Sequence, residues 1–360
     1  MPSANFSEDS RRHPLSNSIT AGLTRTKQLA KRNICAITRK RARVACFKKT
    51  RRVAGAPGPV HYSMKKMSNN ILVLLSPTKT LNFNPLAASL VSKMPAPSKP
   101  VFEEKTSQLV KIMQSHSKAK LRKLLGVSEN LATLNYSRFA DWSSNEGKQA
   151  ALAYSGPAFQ GLDASSLDAK SWQRLQARLV ILSGLYGVVR GNDKIKPYRL
   201  CMGTKLAGPN NEANLYEFWR ETITDHVLKN VSKGGLVVNC ASQEYSKAVD
   251  LKALSAAGLQ VVDCSFLHCG RTLSVYAKRA RGMMVRFIAQ QPVCTTETLK
   301  KFAMENYSYT KTQKDTLVFG RSSAPPKAVS AGKRKAKNAK DVAKPTSKKR
   351  KTTSKSKKKK

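Results

Sequence analysis

Short apolar runs recur along residues 71–320 and predict buried strands. The first, Ile71 to Leu75, ends at a Ser-Pro pair, and Pro77 lacks the N–H that a strand ladder needs. Two later β-branched runs, at 235–239 and 259–263, are separated by about the length of a crossover helix. This spacing is typical of neighbouring parallel strands.

Apolar residues at helical spacing lie between these runs and predict helices. A pattern over 109–139 pauses at Gly126 and resumes after Ser128, a good N-cap residue, so it predicts two helices joined by a short turn. A buried helix is predicted over 172–182 and is ended by a segment with two glycines. A further strand is predicted near Thr272 to Tyr276, followed by a basic helix. Alternating strands and helices of this kind indicate an α/β fold.

The two helices joined at Gly126 are similar to a helix-hairpin-helix. In that motif the N–H groups of the turn and a helix N-terminus meet a DNA phosphate without reading bases. Lys120 and Lys123 precede the turn, and Ser128 stands where the motif usually has its second glycine. A plain pair of packed helices is the alternative that the pattern leaves open.

The formal net charge of +45 is spread over three regions of different composition. Residues 1–70 carry a net +14, residues 71–320 a net +15, and residues 321–360 a net +16. The two flanks are poor in large apolar residues, so they cannot bury enough surface to offset the entropy of ordering. The sequence therefore predicts a disordered basic extension over 1–66, an α/β domain over 67–320 and a disordered lysine-rich tail over 321–360.

Each flank allows more than one interpretation. Residues 1–66 are rich in arginine and poor in acids, as an organellar transit peptide is, but they also precede Met67, a plausible start for the domain. The lysine-rich tail is typical of a nuclear-localisation or nucleic-acid-binding arm, and the alternative is a solvated solubility tail. We expect a location in the cytoplasm, the nucleus or both, with organellar import if residues 1–66 are translated.

Membrane, metal and cofactor functions find little support in the sequence. No run reaches the roughly 18 apolar residues that a membrane span needs. The seven cysteines form no CxxC pair, which favours reduced thiols inside a cell. Cys264, His268 and Cys269 are the nearest approach to a metal cluster, and no second ligand pair follows them. We predict no metal and no cofactor.

Cationic residues recur where ligands commonly bind. Lys79 follows the first buried strand, and polar residues around Glu244 follow the run at 235–239; strand ends of this kind form ligand sites in α/β sheets. A loop that combines aromatic and cationic groups, suited to a base or a phosphate, holds Arg190, Tyr198 and Arg199. The basic helix has no acidic residue between 271 and 296, and its cations are Lys278, Arg279, Arg281 and Arg286.

Four segments, in this order, resemble the YaaA peroxide-stress-response family. They are Ser-Pro-Thr-Lys-Thr-Leu at 76–81, Ser-Gly-Leu-Tyr-Gly-Val-Val-Arg at 183–190, Pro-Tyr-Arg-Leu at 197–200 and Tyr-Ala-Lys-Arg-Ala-Arg-Gly at 276–282. The resemblance implies a mixed α/β domain with a basic cleft that binds double-stranded DNA. It also implies a role in limiting oxidative damage by keeping intracellular iron low, and it brings no established catalytic mechanism.

Two carboxylates common in the family are absent here. Cys201 stands in place of the glutamate of a Leu-Glu-Met segment, and Gln243 in place of the aspartate of an Ala-Ser-Asp-Glu-Tyr segment. These changes favour binding over acid/base chemistry. The expected DNA-binding residues are Lys79, Lys120, Lys123, Gly126, Ser128, Arg190, Tyr198, Arg199, Lys278, Arg279, Arg281 and Arg286, with no catalytic residue.

Two other functions stay open. The first is an enzyme acting on nucleotide or nucleic-acid phosphates, with Lys79 and the cations of 278–286 on phosphate and Glu244 as the base. The second is a polyanion binder that acts only through its tails. The expected partner is double-stranded DNA or another nucleic acid, and no membrane.

Overall fold

The computed structural model describes residues 70–92 and 94–323, in which strands and helices alternate. The strands run over Ile71–Leu75 (β1), Lys148–Gln149 (β2), Leu179–Ser183 (β3), Gly187–Val189 (β4), Lys194–Ile195 (β5), Leu236–Cys240 (β6), Gln260–His268 (β7), Ser308–Gln313 (β8) and Thr316–Arg321 (β9). The helices run over Ala88–Val91 (α1), Glu103–Gln114 (α2), Lys118–Leu125 (α3), Glu129–Ala140 (α4), Ala150–Ala153 (α5), Pro157–Leu162 (α6), Ala169–Arg178 (α7), Leu215–Asn230 (α8), Gln243–Ser246 (α9), Leu251–Ala256 (α10), Ser274–Gln290 (α11) and Thr296–Lys300 (α12). The predicted extension over 1–66, and the predicted tail beyond residue 323, lie outside the described residues.

Seven strands form one mostly parallel sheet in the order β4-β3-β1-β6-β7-β9-β8. The five central strands are parallel, and β4 and β8 are added antiparallel at the two edges. β2 and β5 form a separate antiparallel pair. The α/β fold predicted from the sequence is confirmed.

The central strands are buried along their whole length, which explains their continuous apolar sequences. Every residue of β1, β3 and β6 is buried. The predicted strand over 71–75 coincides with β1, and the predicted parallel pair is β6 with β7. The long helix α11 packs against β7, β1 and β6 as well as against α6 and α7.

Two predicted elements are wrong. The buried helix predicted over 172–182 ends at Arg178, and Leu179 begins β3. Leu179 and Leu182 fit helical spacing, but they also belong to a continuous apolar run, which suits a strand buried on both faces. The strand predicted near 272–276 is also absent: β7 ends at His268, and α11 begins at Ser274.

The helix pair predicted around Gly126 is present as α3 and α4. Gly126 ends α3 in the left-handed conformation, with φ of 59°, a region that favours glycine. Ser128 occupies the N-cap position of α4, but its side chain makes no capping hydrogen bond. Leu131 and Leu134 are exposed, so the buried side of α4 is formed by other residues.

Among the described residues, no helix combines the length and the apolar character needed to cross a membrane.

Candidate functional site

The carboxyl ends of β1 and β6 meet at the centre of the sheet, where the strand order reverses. β1 has β3, the next strand of this sheet along the chain, on one side and β6 on the other. Open α/β sheets bind ligands in the crevice at such a topological switch point. The N–H of Ser242, after β6, donates to Oγ of Ser76, after β1, at 2.8 Å. The Ser76 hydroxyl in turn donates to Ser242 Oγ at 3.2 Å, so the two strand ends are joined directly.

A cavity of about 590 Å³ opens at this point, and we call it the switch-point cavity. Its walls are the loops after β1 and β6, the residues around the start of α6, and one side of α11. The charged residues that line it are Lys79, Glu244, Lys278 and Arg281. Lys278 and Arg281 lie three positions apart on α11 and therefore project from the same side of the helix.

A second cavity of about 610 Å³ lies beside the turn between α3 and α4, and we call it the hairpin cavity. Its charged lining residues are Lys79, Lys120, Lys123, Lys205 and Glu244. Lys79 and Glu244 thus line both cavities. The strand-end cations and the hairpin cations, which are far apart in the sequence, therefore lie around adjoining cavities.

The charge around the two cavities is strongly unbalanced. Six cations line them, against a single carboxylate, that of Glu244. None of the six takes part in a salt bridge within the part of the chain that the structure describes. The Glu244 carboxylate accepts a hydrogen bond from the N–H of Gly203 at 3.3 Å. Cations that protein carboxylates leave unpaired are available to an anionic ligand.

Two predicted residues of the basic helix have partners elsewhere in the protein. The Arg279 guanidinium donates from Nε to Glu305 Oε1 at 2.7 Å and from Nη2 to the same oxygen at 2.6 Å. Arg286 donates from Nη1 to the carbonyl oxygens of Leu162 and Asp163, at 3.1 and 2.8 Å, where α6 ends. Of the four cations predicted on this helix, the structure brings Lys278 and Arg281 into the switch-point cavity and directs the other two to structural contacts.

Arg190 contacts the opposite end of the sheet from the two cavities, where the central strands begin. Its guanidinium donates to the carbonyl oxygens of Gln176 and Ala177, at 3.3 and 3.5 Å, and to Oδ1 of Asn230 at 2.8 Å. Those partners stand at the ends of α7 and α8, which directly precede β3 and β6. Arg190 therefore joins helix ends at the amino edge of the strands.

Tyr198 is buried in the core rather than presented for stacking. Its hydroxyl lies 2.7 Å from the hydroxyl of Tyr154 and 2.7 Å from Oγ of Ser183. Burial raises the pKa of Tyr198 to about 12, so the phenol stays neutral. The neighbouring Arg199 is half-buried and is not among the residues that line either cavity; its charge, after burial, helps to lower the pKa of Arg138.

The thiol of Cys201 lines the hairpin cavity, but its surroundings do not activate it. Burial is the largest influence and raises its pKa, with Glu244 acting in the same direction and Lys79 opposing. The basic neighbours Lys79 and Arg199 lower this pKa, but desolvation of the thiolate outweighs them. The thiolate form is therefore disfavoured at neutral pH.

The structure separates the two predicted hairpin residues, Gly126 and Ser128, and it adds Lys205 and Ser242 to the site. Gly126 lines the hairpin cavity, whereas Ser128 is exposed beyond the lining residues. Lys205 and the hydroxyl of Ser242 belong to the site but were absent from the predicted set. Lys205 follows the Pro-Tyr-Arg-Leu segment closely, which could have drawn attention to it.

A serine nucleophile needs an adjacent base, and no histidine lines either cavity in the described residues.

The fold and the site define a mostly parallel α/β protein with cation-lined cavities at and beside its topological switch point. The chain belongs to the peroxide stress protein YaaA family, whose sequence model matches residues 71–313. It is 40% identical to a UPF0246 protein of Albidiferax ferrireducens over 264 residues, 70% of this chain and 98% of the relative. It is also 40% identical over 267 residues to a UPF0246 protein of Paracidovorax citrulli, 71% of this chain and all of the relative.

Proposed function

We propose that the protein binds double-stranded DNA through phosphate contacts, with little sequence preference, as part of the response to peroxide stress. Its role would be to help limit iron-dependent oxidative damage. The observation that carries the proposal is the group of six cations around the two cavities, which we call the cavity cations: Lys79, Lys120, Lys123, Lys205, Lys278 and Arg281. Phosphate contacts made by lysine and arginine supply most of the sequence-independent affinity for DNA.

The arrangement of α3 and α4 supports the proposal. Lys120 and Lys123 project from α3 beside the Gly126 turn and line the same cavity as Lys79. A phosphate at the turn could be met by both lysines, as in a helix-hairpin-helix. In a helix-hairpin-helix arrangement the turn and its flanking lysines meet backbone phosphates rather than base edges, so we expect binding to depend little on sequence.

The test is a salt series of fluorescence anisotropy titrations with labelled duplexes and the full chain. Each phosphate contact contributes about −0.9 to the slope of log K against log salt, so the triple variant Lys79→Gln, Lys120→Gln, Lys123→Gln should be less steep by about 3. The matched control removes three exposed lysines elsewhere, in Lys229→Gln, Lys233→Gln, Lys252→Gln. Both variants lose the same formal charge, so the comparison isolates position.

The proposal predicts that only the triple variant at the cavities loses affinity and slope, equally for duplexes of unrelated sequence. Equal loss in both variants, or loss in neither, would show that general charge or the basic flanks bind the DNA. The basic flanks are unchanged in both proteins, so their contribution cancels in the comparison. A melting curve of each variant checks that the fold is intact.

A further inference from the structure

We propose that the switch-point cavity binds a phosphate monoester, the group present at a phosphorylated DNA end and on a mononucleotide. Where that phosphate belongs to DNA, the inference rests on the proposed function. It goes further because it names the chemical group that the cavity itself recognises. Contacts to the middle of a duplex would not require recognition of a monoester.

The size of the cavity favours a chain end or a small molecule. Its volume of about 590 Å³ falls in the range of roughly 300 to 1,000 Å³ that small-molecule sites occupy. A cavity of this volume cannot enclose a continuous duplex, although backbone phosphates of the duplex can still contact the cations that line it. A terminal nucleotide is small enough, so the cavity can select ends while the surrounding lysines contact the rest of a DNA backbone.

The charge of the cavity matches a monoester better than a diester. Lys79, Lys278 and Arg281 contribute three positive charges and Glu244 one negative charge, which leaves a net +2. A phosphate monoester carries about −1.5 to −2 at neutral pH, whereas each internal phosphodiester of DNA carries a single negative charge. A terminal phosphate therefore gains more from this lining than an internal one does.

The hydroxyl of Ser242 supplies a hydrogen-bond donor at the floor of the cavity. The Ser76 oxygen accepts from the Ser242 N–H, and the Ser76 proton is donated to Ser242 Oγ. Ser242 Oγ makes no capping bond at the start of α9, and its own proton has no acceptor among the described residues. This proton is free to bind a phosphate oxygen.

Arg281 supplies a second donor without a protein partner. Its Nε is buried, yet no hydrogen-bond acceptor for it is found in the described part of the chain. A buried donor left without an acceptor is unfavourable, and the arginine that carries it lines the cavity, where its positive charge can pair with an anionic oxygen. Arg279, two positions earlier on α11, is by contrast paired with Glu305. The two arginines therefore provide a matched test and control.

The experiment compares two duplexes of identical sequence, one with 5′-phosphate ends and one with 5′-hydroxyl ends, by anisotropy with the full chain. We expect the phosphorylated duplex to bind at least about threefold tighter, because charge-assisted hydrogen bonds to the dianion are strong. Arg281→Gln should abolish the preference, and Arg279→Gln should keep it. Ser242→Ala, which should reduce the preference, replaces Arg281→Gln if that variant does not fold.

Calorimetric titration with deoxyadenosine monophosphate, and with deoxyadenosine as the control, separates the two sources of the phosphate. Binding of the monophosphate that Arg281→Gln removes, without any preference between the duplexes, would support the site with a free mononucleotide as its ligand. Equal affinity for both duplexes together with no binding of the monophosphate would overturn the inference. In that case salt-dependent binding of the 5′-hydroxyl duplex that the Lys79, Lys120 and Lys123 triple variant weakens would still support the proposed function, and binding unaffected by that variant would contradict it separately.

Discussion

Gly282 of α11 packs against the carbonyl group of Ala158 in α6, so closely that a Cβ at position 282 would overlap the carbonyl oxygen. Gly161 of α6 makes the reciprocal contact with the backbone carbonyl of Arg279. The two helices therefore touch backbone to backbone, as only residues without a side chain allow. Because Ala158 and Arg281 both line the switch-point cavity, this contact sets the position of the cavity's cationic wall.

Gly282→Ala should destabilise the protein by at least about 1 to 3 kcal/mol, since the added methyl forces two packed helices apart. Urea unfolding followed by circular dichroism measures the change. Gly191→Ala is the matched control, because a Cβ there would lie 3.5 Å from its nearest neighbour, Leu175, which is ordinary van der Waals contact. Similar unfolding midpoints for the two variants would contradict this account of the helix contact.

Lys278→Ala and Arg279→Ala should differ in DNA affinity although they alter adjacent residues and remove the same charge. Lys278 lines the switch-point cavity, whereas Arg279 is paired with Glu305. We expect the first change to weaken binding and to lower the salt slope by about 0.9, and the second to leave both nearly unchanged. The Arg279 pair is partly exposed, so its loss should cost only about 0 to 1 kcal/mol of stability.

The measurement is the same anisotropy series used for the wild type, with a melting curve for each variant. Weaker binding in Arg279→Ala than in Lys278→Ala would place the DNA on the other side of α11. Identical weakening would indicate that only the net charge of the helix matters.

The strands at the centre of the sheet were predictable because burial on both faces leaves an unbroken apolar run. Ile71 to Leu75 is such a run, and Pro77 marks its end. The same property misled the prediction at Leu179 to Leu182, where an apolar run also satisfies helical spacing. Local pattern alone cannot separate a buried strand from a buried helix when the run is short.

The strand-end location of Lys79 was predictable from sequence, but the partners of the basic helix were not. Arg279 binds Glu305, 26 positions away, and Arg286 binds a carbonyl oxygen 123 positions away. An absence of nearby acids on a helix therefore does not show that its cations are free. Only the three-dimensional contacts separate Lys278 and Arg281, which line the cavity, from the two arginines that bind other parts of the chain.

Tyr198→Phe should lower stability without weakening DNA binding. The Tyr198 hydroxyl connects the hydroxyls of Tyr154 and Ser183 in the core, and its removal leaves both with a lost partner. A buried polar group left unpaired costs about 1 to 3 kcal/mol. Urea unfolding should show this loss, while the affinity for duplex DNA stays at the wild-type value. Reduced affinity in a variant of unchanged stability would instead support a direct contact with nucleic acid.

His226 should make the protein less stable as the pH falls below about 6.5. The side chain is buried in α8 beside Phe102, with ring centroids 5.6 Å apart, and its Nε2 has no hydrogen-bond partner among the described residues. Burial, and then the charges of Arg190 and Lys229, lower its pKa to about 4. The imidazole of His226 is therefore protonated near pH 6.5 in the unfolded chain, whereas in the folded protein it stays neutral down to about pH 4.

Stability from the neutral imidazole is present above pH 6.5 and is lost as the pH falls toward 4, because protonation favours the unfolded state. Between pH 7 and pH 5 the loss should reach about 2 kcal/mol. Urea unfolding at several pH values measures it, and His226→Gln should flatten most of the slope. The pKa of His116 is also lowered, by burial and by Lys120, so some slope should remain in the variant. An unchanged slope in His226→Gln would show that other groups control the acid sensitivity.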